Sequence, residues 1–255
     1  MVPRGKKEGN SKLLNIRKII NDGLLYHEYQ PLFNINNNAI FAYEALMRTT
    51  PQIDPLMLIK RAREEGVLYE LDTTSINNAV KEYPKDYLEK NYFLFINILP
   101  SSIIHSNFEK FINKLLDQNP NLLGRVVFEI SEDLLEQHIW RQSIFLHRLA
   151  FLKSLNFGIA FDDVSMSRAT LEKVELLAPD FIKLDHHNSK NLTYSPVQQQ
   201  LISFFLEYTN EKMKLVLEGI EAKEDLLTAK KLGVNLVQGY YISKPKRLKQ
   251  QKINM

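Results

Sequence analysis

Acidic and amide side chains recur in this sequence at the ends of short apolar runs. Phe93-Leu94-Phe95-Ile96 ends in Asn97, and Val126-Val127-Phe128 ends in Glu129 with Glu132 just beyond. Ile159-Ala160-Phe161 ends in the adjacent pair Asp162-Asp163, and Phe181-Ile182 leads into Lys183 and Asp185. Leu215-Val216-Leu217 ends in Glu218 with Glu221 three further, Leu236-Val237 ends in Gln238, and an earlier run carries Glu44 and Arg48. A single carboxylate after a strand is usually a helix N-cap or a solvated loop residue. Seven runs doing so in turn are harder to dismiss. Carboxylates converging on one mouth repel, and they all stay ionised only around positive charge. The chain has no Cys and six scattered His, so oxygen ligands for a hard divalent cation are the natural reading. Adjacent Asp162 and Asp163 offer ligands on two sides, which points to two cations. Two metals roughly 3.5–4 Å apart would make phosphate-ester hydrolysis the leading chemistry. Arg48 could then grip a phosphate oxygen, and Lys183 could orient or polarise the attacking water.

Such groups need a scaffold that brings strand ends together. The runs at 24–35 and 40–46 flank Asn36-Asn37-Asn38, and Asn tolerates the left-handed turn conformation, so they predict a hairpin. Further strands are expected at 92–98, 125–130, 158–161, 181–184, 215–217 and 236–242. Helical patterns cover 55–66, 71–83, 107–118, a long stretch at 134–155, then 171–177, 196–211 and 223–232, the last stopped by Gly233. Eight strands result, six of them alternating with helices. Fully apolar strands are buried on both faces, as in a parallel sheet wrapped by helices. The expected fold is α/β, a TIM-like (β/α)8 barrel with one antiparallel strand. In such barrels the carboxyl ends of the strands carry the active site.

Composition narrows the alternatives. The 255 residues include 33 basic and 30 acidic side chains, a formal charge of +3, with 44% hydrophobic residues and 19 Gly plus Pro. That is ordinary for a globular domain. The absence of Cys excludes disulfide scaffolds, thiolate metal sites and cysteine nucleophiles. No run approaches the roughly 18 apolar residues of a membrane span, and no secretory signal opens the chain. The charge is too small and dispersed for a polymeric nucleic-acid partner. Residues 1–12 read as a disordered tail or linker remnant, with Val2-Pro3-Arg4-Gly5 like a protease-site scar. Residues 13–246 read as one barrel domain and 247–255 as a polar C-terminal tail.

The ordered series also resembles a known family. Tyr29-Gln30-Pro31 and Glu44-Ala45-Leu46-Met47-Arg48 are similar to the signature of the EAL domain. Phe95-Ile96-Asn97-Ile98, Phe128-Glu129-Ile130-Ser131-Glu132, Phe161-Asp162-Asp163 and Ile182-Lys183-Leu184-Asp185 follow in the family's order. Glu218-Gly219-Ile220-Glu221 and the segment from Gln238 to Pro245 complete it, so that the resemblance spans residues 14–245. A lone Glu-Ala-Leu carries no weight; the series is specific. The resemblance implies a bacterial enzyme that hydrolyses cyclic di-GMP to linear pGpG with Mg²⁺ or Mn²⁺, two ions being expected. It assigns Glu44, Asn97, Glu129 and Asp162 as metal ligands and Asp163 to the second metal. Lys183 and Glu218, with Glu44, form the implied catalytic group that positions the water or completes its shell. Arg48, Gln30, Leu46 and Gln238 match substrate-side positions, and Glu132 matches a glutamate that steadies the loop following the fifth strand.

One departure stands out. After Asp-Asp the family reads Phe-Gly, a small residue, Gly and an aromatic, whereas this chain reads Val164-Ser165-Met166-Ser167-Arg168. Without the glycines, positive-φ conformations cost more in this loop. In the family the loop orients the metal-binding aspartates and contributes to a dimer. Members that bind the nucleotide without cleaving it, or that serve as protein-interaction modules, often have a degenerate loop. The intact ligand set favours hydrolysis. The family also implies a homodimer, a regulatory sensor or cyclase neighbour, and a cytoplasmic place within a larger, membrane-attached protein. His186-His187, His138, His147 and the aromatic group Phe204, Phe205 and Tyr208 read as loop, surface or core residues.

Overall fold

Strands that are apolar on every side, such as Phe93-Leu94-Phe95-Ile96, need cover on both faces. In the computed structural model of the chain they get it from a closed barrel. The structure describes residues 15–131, 135–164, 168–209 and 213–249, with only the backbone at Arg168, Ala169, His186 and Asn188. The eight strands follow one another around the barrel in chain order. They are β1 (Leu25–Asn34), β2 (Ala39–Thr49), β3 (Phe93–Asn97), β4 (Val126–Ser131), β5 (Gly158–Asp162), β6 (Phe181–Leu184), β7 (Lys214–Leu217) and β8 (Leu236–Val237). β1 runs antiparallel to β2 and β8, and every other neighbouring pair is parallel. The expected (β/α)8 barrel with one reversed strand is the fold that forms.

Helices α1 (Ile16–Asn21), α2 (Pro55–Glu64), α3 (Leu68–Glu82), α4 (Lys85–Glu89), α5 (Pro100–Ile103) and α6 (Phe108–Gln118) lie along the first half. The second half contains α7 (Ser143–Ser154), α8 (Arg168–Leu177), α9 (His186–Ser189), α10 (Pro196–Thr209) and α11 (Lys223–Leu232). Local chemistry sets several boundaries. Asp54 accepts the Met57 amide at the start of α2, with Pro55 in the first turn. Gly233, at φ 92°, ends α11, whose last turn carries Lys230 and Lys231 at the negative end of the helix dipole. At the hairpin turn Asn38 takes φ 54°.

Two expectations are corrected. The helical stretch at 134–155 is broken: Gln137–Ile139 forms a 3-10 turn and only Ser143–Ser154 is helix, residues 132–134 lying outside the described residues. Trp140 explains the break, because it is buried against Phe161 and Phe145 in the gap between the two pieces. The final strand stops at Val237 instead of 242. There Gly239 packs on the Ile220 backbone and residues 239–243 turn back, Ile242 and Ser243 both donating to the Gly239 carbonyl.

The barrel interior is filled by one residue from each strand: Leu32, Ala42, Phe95, Val127, Ala160, Phe181, Val216 and Leu236. Side chains alternate along a strand, so the next inward residue toward the mouth lies two positions on. Those positions hold Gln30 on reversed β1, then Glu44, Asn97, Glu129, Asp162, Lys183, Glu218 and Gln238. An apolar plug therefore carries a polar ring directly above it.

Candidate active site

The ring is centred on Lys183. Its Nζ lies 2.6 Å from Glu129 Oε1 and from Glu218 Oε1, 3.3 Å from Asp162 Oδ1 and 3.4 Å from Glu44 Oε2. Four strands thus deliver a carboxylate to one buried ammonium. Asn97 Nδ2 donates to Glu129 Oε2 at 3.2 Å and to Glu44 Oε1 at 3.5 Å. Gln238 Nε2 donates to Glu44 Oε2 at 2.8 Å and to Gln30 Oε1 at 3.2 Å, and Gln30 donates to the Ser243 carbonyl. Glu44, in the middle of β2, still lies at the mouth, because the β1–β2 hairpin rises past the other strands; Glu44 pairs with Phe95 while β2 runs on to Thr49.

Burial and charge act against each other here. Burial alone would lower the pKa of Lys183, but Asp162, Glu129, Glu218 and Glu44 outweigh it and hold the ammonium well above its ordinary range. Burial lifts Glu129 well above the carboxylate range, with the neighbouring Glu44 adding to the effect. It pushes Glu218 up to about 8 and, together with Asp162, pushes Asp163 up to about 6. Five carboxylates face one lysine, an excess of acidic groups that one ammonium cannot compensate once all are ionised.

That excess fits divalent cations. One oxygen each from Asp162, Asp163 and Glu218 lies within 4.8 Å of the others. Glu129 Oε1, Asp162 Oδ1 and Glu218 Oε1 are buried and face the ammonium at 2.6–3.3 Å. Hard oxygen donors with unsatisfied lone pairs are what Mg²⁺ and Mn²⁺ bind. Asp163 takes the left-handed φ of 53°, and Val164 is tied to the Lys183 carbonyl at 3.1 Å. This turn leaves the two adjacent aspartates with carboxylate oxygens within 4.8 Å of each other.

A cleft of about 250 Å³ opens beside the ring. Arg48, Asn97, Asp162 and Asp163 form its polar side, and Pro55, Leu56 and Ile59 of α2 its apolar wall. Leu46 also lines it. Arg48 is not directed at the lysine cluster; its Nε donates to Glu28 Oε2 at 2.9 Å. Glu132 lies outside the described residues, as does 165–167 of the departing loop. His138 and His147 are exposed, as is His187. Phe205 is core, while Phe204 is 42% exposed and stacks on Tyr208.

Several residues at the mouth escape the strand-end pattern. Glu28 is one. Asp72 and Glu136 are two others, buried carboxylates that accept backbone amides beside the cleft. Asp72 left a signal in the sequence: it falls with Ile76, Ala79 and Val80 on the buried stripe of α3. Glu136 left none, because it sits in irregular chain.

Residues 14–245 match the family described as EAL domain. The chain belongs to the EAL domain family. Its relatives include Probable cyclic di-GMP phosphodiesterase PdeI of Escherichia coli (strain K12), 27% identical over 91% of this chain and 30% of that protein. The Uncharacterized EAL-domain containing protein YkuI of Bacillus subtilis (strain 168) is 27% identical over 91% of this chain and 57% of its own length. The chain thus spans from under a third to rather more than half of these curated relatives. Among solved structures, the FimX EAL domain from Pseudomonas aeruginosa bound to c-di-GMP superposes with a TM-score of 0.81. It covers 91% of this chain and 95% of that one at 19% identity, a likeness of fold. Among the described residues of this EAL domain, no helix is long and apolar enough to cross a membrane.

Proposed function

We propose that this EAL domain hydrolyses cyclic di-GMP to linear pGpG. The observation that carries the reading is the ring itself, in which Lys183 and the Glu44, Glu129, Asp162 and Glu218 carboxylates meet at the mouth of a plugged barrel. The family relation supplies the substrate class, since relatives such as PdeI are named for cyclic di-GMP. The cleft fits a dinucleotide in kind: a polar side for phosphate and an apolar wall on α2 for bases.

In this reading Glu44, Asn97, Glu129 and Asp162 hold one Mg²⁺ or Mn²⁺, and Asp163 serves a second. Bound there, the ions would neutralise phosphate charge and lower the pKa of the attacking water. Asn97 spends its amide N–H groups on Glu129 and Glu44, so its carbonyl oxygen is the atom it offers to an ion. Gln238 and Gln30 brace Glu44 from behind. Lys183 donates to the water and Glu218 accepts from it, and the 2.6 Å contact between them keeps the two groups together. Arg48 holds a non-bridging phosphate oxygen. The water oxygen bonds to phosphorus, the bond to O3′ breaks, and the proton lost by water balances the one gained by the 3′-hydroxyl. On the family pattern Glu132, outside the described residues, would steady the loop following the fifth strand, and Leu46 lines the substrate's path.

Within the longer protein we assign this domain a bacterial cytoplasmic place, a homodimeric state and a regulatory sensor or cyclase neighbour. Purified chain incubated with cyclic di-GMP and Mn²⁺ or Mg²⁺ should yield pGpG by chromatography. No product with either ion would sink the hydrolytic reading. One observation favours a second reading, a receptor that binds without cleaving: the loop after Asp163 lacks both glycines of the family pattern. Saturable nucleotide binding by calorimetry without turnover would select it.

A further inference from the structure

The short helix α5 follows Asn97 by two residues and lacks a side-chain cap of its own. Pro100 has no N–H, and the Ser102 and Ile103 amides donate back to the Leu99 carbonyl at 2.9 and 3.2 Å. The amides of Leu99 and Ser101 are then the donors that need acceptors from outside the turn. Each finds a buried carboxylate from a different part of the chain. Leu99 N donates to Asp72 Oδ2 of α3 at 3.1 Å, and Ser101 N donates to Glu136 Oε2 at 2.9 Å. Glu136 Oε1 also accepts from Ser101 Oγ and from Arg63 of α2, both at 2.8 Å. Asp72 is 8% exposed and Glu136 3%.

We propose that Glu136, assisted by Asp72, is a positioning residue that sets Asn97 by clamping the α5 turn; this rests on the reading of Asn97 as a metal ligand. Asn97 ends β3, and two anchors follow it directly: Ile98 N donates to the Glu129 carbonyl at 2.9 Å, and the clamp begins one residue on, at Leu99. Slack in the turn reaches Asn97 through two residues of extended chain. Glu136 belongs to the connection that follows β4, which ends at Ser131, and Arg63 belongs to the helix that forms the apolar wall of the cleft. One carboxylate thereby ties together the loops after β2, β3 and β4. Burying a carboxylate is costly before pairing, and apolar packing would stabilise as well, so its use here serves geometry.

The test separates geometry from charge. Mn²⁺ affinity of the full chain is measured by calorimetry for wild type, Glu136→Asp and Glu136→Gln. Shortening the side chain keeps the charge and loosens the clamp, so Glu136→Asp should bind Mn²⁺ about tenfold more weakly, as outer-shell changes do. Glu136→Gln keeps an acceptor for the Ser101 amide and should stay within about threefold of wild type. Asp225→Ala is the stability control. Asp225 is a buried carboxylate that accepts the Thr193 amide at 2.9 Å in the 3-10 turn Leu192–Tyr194, and its loss should lower stability but not Mn²⁺ affinity. Unchanged affinity in folded Glu136→Asp, the reverse order of the two variants, or an equal loss in Asp225→Ala would overturn the positioning role. Wild-type chain that binds no Mn²⁺ would overturn the metal reading of the ring, and the positioning role with it.

Discussion

Glu28 holds Arg48 by a diagonal contact across the β1–β2 hairpin, Nε to Oε2 at 2.9 Å. In the strand register Glu28 lies opposite Leu46 and Arg48 opposite Tyr26, so the two are two residues apart on one face. Both side chains are a quarter to a third exposed, which keeps the pair weak. In the proposed role of Arg48, a phosphate would compete with Glu28 for the guanidinium charge. Glu28→Gln should therefore tighten nucleotide binding by about threefold to fivefold at low salt. The gain should vanish in an Arg48→Ala background, and a calorimetric double-mutant cycle reads both.

Lys183 is the one cation inside the carboxylate cluster among the described residues. Replacing it by Met leaves buried like charges uncompensated. Lys183→Met should lose about 3–5 kcal/mol of stability in EDTA, measured by urea unfolding. Mn²⁺ should return part of that loss, because ions take over the neutralising role, whereas turnover should stay absent.

Stability of the ion-free chain should fall as pH rises. Asp163 is pushed up to about 6, Asp72 to about 7 and Glu218 to about 8, each chiefly by burial. Their folded pKa values exceed the unfolded ones, so the folded state binds more protons from about pH 4 to pH 8 and stability declines through that window. Cations bind the deprotonated carboxylates and oppose the decline. Scanning calorimetry in EDTA should show a falling midpoint between pH 5 and 8.5. At about a hundredfold excess over Kd, Mn²⁺ should raise the midpoint by roughly 5–10 °C at pH 8.5 and by little at pH 5.

Gly239 has no room for a side chain. A Cβ there would lie 2.1 Å from the Ile220 carbonyl oxygen and 2.3 Å from its nitrogen. The same backbone exchanges hydrogen bonds with Gln238 and Tyr241. Gly239→Ala should cost about 3 kcal/mol and displace Gln238 from Glu44. Thermal unfolding and loss of Mn²⁺ affinity would register both effects.

Much of the site can be read in the sequence because β-structure repeats every two residues. Phe95 and Asn97, Val127 and Glu129, and Phe181 and Lys183 each put a plug residue and a ring residue on one inward face. Apolar runs ending in polar groups therefore mark the mouth without any knowledge of tertiary contacts. Glu136 obeys no such period; its role depends on Ser101 and Arg63, 35 and 73 residues away. The length of β8 was illegible for a similar reason, because Tyr240 and Tyr241 look like strand residues and only the contact of Gly239 with Ile220 turns them out. Trp140 likewise broke a helical pattern by finding Phe161 across the core.

The reversal of β1 changes the parity of the fold. In an all-parallel barrel the first strand would begin beneath the plug. Here Leu25, the first residue of β1, pairs with Thr49 at the upper end of β2, so the chain comes in over the mouth. It departs on the same side, where Tyr29 and Lys246 exchange backbone hydrogen bonds at 2.8 and 3.1 Å. The two ends of the described chain thus meet at the level of the ring, where the Gln30 side-chain amide donates to the Ser243 carbonyl. The same reversed strand that pins the closing segment also reaches Glu44 through Gln30 and Gln238, so the seam of the barrel and the ring share one set of hydrogen bonds.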